Sequence, residues 1–112
     1  MSGREEAAAA VQRALLECVG PGAAEQLAMA QVRLAWAEVA DEAGLARPPF
    51  HSRLLRVAAG VAHVEASDPM LAQEVTLRGE ALVWALNQRM RGRPGATIVV
   101  SRVAVSVGRE PA

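Results

Sequence analysis

In this 112-residue chain, Leu55-Arg56-Val57-Ala58-Ala59-Gly60-Val61-Ala62-His63-Val64-Glu65-Ala66-Ser67-Asp68-Pro69 carries two strand patterns followed by a helix start. Leu55 and Val57 alternate with Arg56, while Ala62, Val64 and Ala66 alternate with Val61, His63 and Glu65. Each run has the period of two that turns one face of a strand toward a core. Gly60 supplies a turn between them, so Arg53 to Ser67 reads as a β-hairpin with one face buried. Asp68-Pro69 then opens a helix: aspartate is a preferred N-cap, and proline at the first helical position lacks only an N–H that would have no partner there.

Downstream, the helical stretch continues to about Arg91 and carries Leu71, Val75, Leu82, Leu86 and Met90 close to one face. Gly79 in its middle costs about 1 kcal/mol relative to alanine and marks a kink or a break into two helices. Gly92-Arg93-Pro94-Gly95 closes the helical region. Thr97 to Val107 reads as a last strand, with Val99, Val103, Val105 and Val107 in one phase and Ile98, Val100 and Ala104 in the other. Its start is expected to be buried on both sides, or bulged near Ser101.

Upstream, Arg47-Pro48-Pro49 predicts an extended connection, because proline fixes its own φ and pushes the preceding residue out of the helical region. Before it, Met29, Val32, Trp36, Val39 and Ala43 recur at helical steps, predicting a helix from about Ala23 to Ala43 that Gly44 stops. Glu25, Arg33, Glu38, Asp41 and Glu42 occupy its other faces. A shorter amphipathic helix is expected from Arg4 to Val19 through Ala7, Ala8, Val11, Leu15, Cys18 and Val19, ended by Gly20-Pro21-Gly22. The expected organisation is an N-terminal helix and turn over 1–22, a body over 23–108 and a short tail over 109–112. The element order predicts the α+β class, in two layers: a three-stranded sheet with helices packed on one face.

Composition narrows the function classes. Hydrophobic residues make up 52% and charged residues 21%, the balance of one globular domain with little surplus for a deep catalytic cleft. Trp36, Trp84 and Phe50 are the only aromatic residues, too few for a groove of stacked bases. All 12 cations are arginines and 24 residues are alanines, a bias that a GC-rich genome would also produce. The zero net charge hides an asymmetry. Residues 1–46 hold three arginines against seven acidic groups, a net −4, and residues 47–112 hold nine against five, a net +4. Such a dipolar molecule meets a polyanion with one side only. Cys18 is alone, so no intrachain disulfide is expected, and it reads as a small buried hydrophobe. Neither a signal peptide nor a membrane span is legible, which makes the cytoplasm the expected location.

No catalytic constellation emerges. His51 and His63 lack a second ligand at metal-binding spacing, there is no lysine for a phosphate loop, and Glu74 and Glu80 read as surface charges. An enzyme, a cofactor, a metal and a small-molecule substrate are therefore not expected. Basic surface remains. Arg47, Arg53, Arg56 and Arg78 lie in or beside the hairpin and the helix break, and Arg89, Arg91 and Arg93 crowd a helix end, where the macrodipole alone explains cations. These seven are the candidate DNA-binding residues, and phosphate contact would need several of them on one face. Trp84 lies about 200° around its helix from Leu82, on the side away from the Leu71/Leu86 stripe, as does Leu77 if the helix is continuous. It reads either as the cover of a second small core against the N-terminal helix or, with Leu77, as a partner-binding anchor.

The succession Trp36-Ala37-Glu38-Val39-Ala40, Arg47-Pro48, Gly60 to Ser67, Leu71-Ala72-Gln73-Glu74-Val75, Leu86-Asn87-Gln88-Arg89-Met90 and Val107-Gly108 resembles the DciA family of bacterial replicative-helicase loaders. The likeness spans nearly the whole chain and rests on the order and spacing of short motifs. Ala40 stands where the family usually has glycine, and Leu71 where it usually has tryptophan. The resemblance implies a fold like type II KH domains (α-β-β-α-α-β) and a non-enzymatic DNA-replication protein. Its implied partners are a DnaB-type replicative DNA helicase and DNA, single-stranded or duplex, bound weakly and in a salt-dependent way; no membrane is involved. A KH domain grips nucleic-acid backbone with Gly-x-x-Gly between paired helices, whereas Thr76-Leu77-Arg78-Gly79-Glu80 has one glycine and an acid, so sequence-specific RNA binding of that kind is not expected. The alternatives are a general KH-like nucleic-acid-binding module in RNA metabolism or DNA repair, and an adaptor with no nucleic-acid role.

Overall fold

A computed structural model describes Ala9, Ala10 and residues 22–108. Ala9 and Ala10 are helical; the rest of the expected N-terminal helix with Cys18, its Gly20-Pro21 stop and the tail over 109–112 lie outside the described residues. The elements are α1 (Ala23–Glu42), β1 (Ser52–Ala58), β2 (Val61–Ala66), α2 (Pro69–Leu77), α3 (Gly79–Met90) and β3 (Arg102–Val107). The strands form one sheet in the order β1-β2-β3, with β1 and β2 antiparallel and β2 and β3 parallel. This is the α-β-β-α-α-β, KH-like α+β arrangement in two layers.

The hairpin closes through Ala59 (φ 51°) and Gly60 (φ 78°), two successive left-handed residues that match the twist of the flanking strands. At Gly60 a side chain has no room, since a Cβ would lie 2.8 Å from Ser101 Oγ. The hairpin's phase differs from the simple alternation in one respect. The register shifts between Leu54 and Arg56, so Leu55 is the extra residue of a bulge and Leu54, only 3% exposed, takes the inward position. Beyond the bulge Val57 faces inward again, opposite Ala62, so Leu54 and Val57 share a face although they are an odd number of residues apart.

All three helices cover the inward face of the sheet. Val32, Ala35, Trp36, Val39 and Ala40 of α1 meet Leu54, Ala62, Val64 and Ala66 of the hairpin and Leu71, Val75, Leu82, Leu86 and Met90 of α2 and α3 in one core. The indole N–H of Trp36 donates to Ser52 Oγ at 3.0 Å, so its polar atom is satisfied at the core's edge. Asp68 caps α2 as expected, accepting from the Leu71 N–H at 2.7 Å, with Pro69 first in the helix. The helical region breaks at Arg78. Gly79 lets the helix pass close to β3, since a Cβ there would come within 3.3 Å of the Val103 side chain.

Two connections depart from their expected form. Arg47-Pro48-Pro49-Phe50 is a tight turn rather than an extended link, with Phe50 N–H donating to Arg47 C=O at 2.8 Å across a cis Pro48-Pro49 bond. The last strand begins at Arg102 rather than Thr97. Asn87 on α3 takes both backbone groups of Val100, its Nδ2 donating to the carbonyl at 2.7 Å and its Oδ1 accepting from the N–H at 2.9 Å. A backbone paired to a side chain cannot also pair with a strand, and the sheet starts just beyond, where Ser101 N–H donates to Gly60 C=O. The start of the segment is buried on one side, with Val100 inward and Val99 exposed.

Candidate nucleic-acid interface

The helices leave the other face of the sheet to the outward residues of each strand. These are Arg53 and Arg56 on β1, Val61, His63 and Glu65 on β2, and Arg102, Ala104 and Ser106 on β3. Arg56 lies opposite His63, Arg53 opposite Glu65, and Arg102 beside Val61. No described helix packs on this side. Arg53 donates from Nε to Glu65 at 3.2 Å, an exposed pair that restrains the side chain more than it stabilises the fold. Arg56 and Arg102 make no ion pair among the described residues. Two strand spacings separate β1 from β3, about 10 Å across the face. The result is a flat surface with guanidinium groups on both edge strands and an imidazole between them, able to touch separate phosphates of one backbone.

Arg53 and Arg56 are thus brought together, and Arg102 joins them although it was not among the sequence candidates. Its signal was its phase: Arg102, Ala104 and Ser106 alternate against Val103, Val105 and Val107. Three other candidates are engaged inside the fold. Arg78 donates to Glu74 at 2.7 Å and to the Ala43 carbonyl at 2.9 Å, tying the end of α1 to α2. Arg89 pairs with Glu38 at 3.0 Å and with Glu42, and Arg93 pairs with Glu38 and donates to the Arg89 carbonyl at 3.1 Å. The hydrogen bond from Arg93, helped by the charge of Arg89, holds the Glu38 carboxyl below its ordinary value; Glu42 raises Arg89 in turn. Part of the charge asymmetry between the two halves of the chain therefore neutralises itself across α1 and α3. Of the last two candidates, Arg47 borders an apolar cleft beside Phe50 and Met70, and Arg91 follows α3; neither is on a strand of the open face.

Trp84 is 67% exposed and Leu77 73% exposed. Among the described residues the indole covers no second core; the N-terminal helix against which such a core was expected lies outside the described residues. The two residues also lie on different helices: Trp84 shares an exposed stripe of α3 with Glu80, Ala81 and Gln88, whereas Leu77 ends α2 in line with Gln73 and Met70. Only Arg78 separates α2 from α3, and both it and Gly79 are committed to packing, so the junction offers no loop to grip a nucleic-acid backbone. His51 stays beside its own turn, with Nδ1 3.2 Å from the Pro49 carbonyl. Among the described residues no helix is long and apolar enough to cross a membrane, and no group of His, Cys, Asp and Glu is placed to hold a metal ion.

The fold and this face together define a small KH-like α+β domain with a basic sheet surface. Compared with known proteins, the chain matches no family model and no curated sequence.

Proposed function

We propose that this chain is a non-enzymatic DNA-replication protein of the DciA kind, which docks on a DnaB-type replicative helicase and holds DNA weakly through backbone phosphates while the helicase is placed. The observation that carries the DNA half is the open sheet face, where Arg56 and Arg102 have no ion-pair partner among the described residues and Arg53 stands beside them. The succession of motifs from Trp36 to Gly108 supports the helicase half, as does an exposed tryptophan on α3. Few aromatic residues and a helix junction without a gripping loop favour sequence-blind phosphate contact over base recognition.

The test is a salt series with single-stranded DNA, duplex DNA and RNA. Each phosphate contact contributes a slope of about −0.7 to −0.9 in log affinity against log salt, so two to three contacts give roughly −1.5 to −2.5. Sequence-blind DNA binding with such a slope, lowered by replacing Arg56 and Arg102 with glutamate, is the expected result. Preference for RNA with sequence selectivity would instead identify a KH-like module of RNA metabolism. Binding that the double replacement leaves unchanged would remove the sheet face from the account.

A further inference from the structure

Where α1 crosses the start of β1, the structure forms a half-open cleft of about 310 Å³ whose lining includes Arg33, Trp36, Ala37, Ser52, Arg53 and Leu55. At about 30 Å³ per water this is room for some ten waters, enough for a phosphate with its sugar. Its charged groups are both arginines. Arg33 comes from the acidic half of the chain and uses one nitrogen, Nη2, to donate to the Leu55 carbonyl at 2.9 Å, fixing the bulge. Its Nε and Nη1 have no partner among the described residues. Arg53 spends only Nε on Glu65, which leaves both terminal nitrogens. Ser52 Oγ accepts from the Trp36 indole, so its own O–H remains to donate. No carboxylate among the described residues lines the cleft, and the Arg33 and Arg53 side chains are each already restrained by one hydrogen bond. Restraint of this kind lowers the entropy lost when an anion is gripped.

We infer that this cleft is a phosphodiester-binding site, in which Arg33, Arg53 and the Ser52 hydroxyl hold one backbone phosphate of a nucleic-acid strand that continues onto the sheet face through Arg53. The inference rests on the DNA-binding half of the function proposed above and adds to it a residue outside the basic half of the sequence. Arg53 belongs to both surfaces, so the strand turns from the open face around the β1 edge into the cleft. The bulge at Leu55 shapes that edge, presenting a carbonyl to Arg33 instead of continuing a regular strand.

The test is fluorescence anisotropy of a labelled oligothymidine strand with four full-length proteins: wild type, Ala37→Glu, Ala30→Glu and Arg33→Gln. Ala37 and Ala30 are both exposed on α1, so each glutamate adds the same charge without removing a packing contact, but only Ala37 lines the cleft. Glutamine at position 33 gives up the charge, and its amide, two bonds shorter than the guanidinium Nη2, also gives up the bond to Leu55. The expected result at low salt is an affinity about tenfold lower for Ala37→Glu and less than twofold lower for Ala30→Glu, with Arg33→Gln reducing the salt slope by about 0.7. Equal losses for the two glutamates, or wild-type affinity and slope in both Ala37→Glu and Arg33→Gln, would overturn the cleft while leaving DNA binding by the sheet face standing. Absence of binding by the wild type would overturn the DNA reading itself.

Discussion

Asn87 closes the gap between α3 and the segment leading into β3, and its removal has a cost that follows from the geometry. Val100 is 2% exposed, and Asn87 is the partner of both its backbone groups, at 2.7 and 2.9 Å. In Asn87→Ala the N–H and the carbonyl are left in a site that water reaches poorly. An unsatisfied buried polar group costs about 1–3 kcal/mol, so the pair amounts to roughly 2–4 kcal/mol once the cavity admits some solvent. For a domain of this size that lowers Tm by roughly 10–25 °C, a large part of a total stability of about 5–10 kcal/mol. Asn87→Asp separates the two bonds: the carboxylate still accepts from the Val100 N–H but faces its carbonyl without a proton to donate. It is expected to cost at least as much as alanine at neutral pH and to recover part of the loss as the carboxyl protonates in acid. Urea unfolding with m held constant measures both. A loss below about 0.5 kcal/mol for Asn87→Ala, the range of an ordinary surface change, would refute the clamp.

Other consequences can be checked separately. Ala59 is a non-glycine residue at positive φ, a conformation that costs about 1–2 kcal/mol, so Ala59→Gly is expected to raise stability by roughly 0.5–1 kcal/mol after the added chain entropy; a decrease in the urea midpoint would contradict the turn geometry. Glu38 is held below its ordinary value of 4.5, so its contribution is complete above that pH and is lost as pH falls through the lowered value. Glu38→Gln should therefore lose less stability than the wild type on acidification below 4.5, and equal losses would show that the Arg89/Arg93 network does not carry that dependence. Replacing Trp84 by alanine should change stability by no more than about 0.5 kcal/mol, because the side chain is an exposed one. A larger loss in thermal unfolding would mean that the indole is part of a core.

Most of the fold was legible because local chemistry and the global pattern agree. The Asp68-Pro69 cap, the Val32/Trp36/Val39 stripe and the five apolar residues from Leu71 to Met90 each specify their element without reference to the others. What escaped depended on partners distant in the chain. The bulge at Leu55 is held by Arg33 on α1, and alternation alone could not move the inward position to Leu54. The segment over 97–101 is as rich in β-branched residues as any strand, yet Asn87 takes the Val100 hydrogen bonds that a strand would need. For the candidate interface, arginine density was the weaker guide. Arg78 beside the helix break and Arg89 and Arg93 in the helix-end cluster were candidates in sequence, but they answer acidic or carbonyl groups 4 to 55 positions away. Arg102 lies in a run of apolar residues with no other cation nearby, and the parallel pairing of β3 with β2 is what brings it to the face of Arg53 and Arg56.

Complex formation with the DnaB-type helicase of the same organism bears most directly on the proposed function, because DNA binding alone suits several kinds of KH-like protein. Size-exclusion chromatography with light scattering, at micromolar concentration and with and without single-stranded DNA, should give a stable complex for the wild type and a weakened one for Trp84→Ala. No complex under either condition would contradict the helicase-loader account.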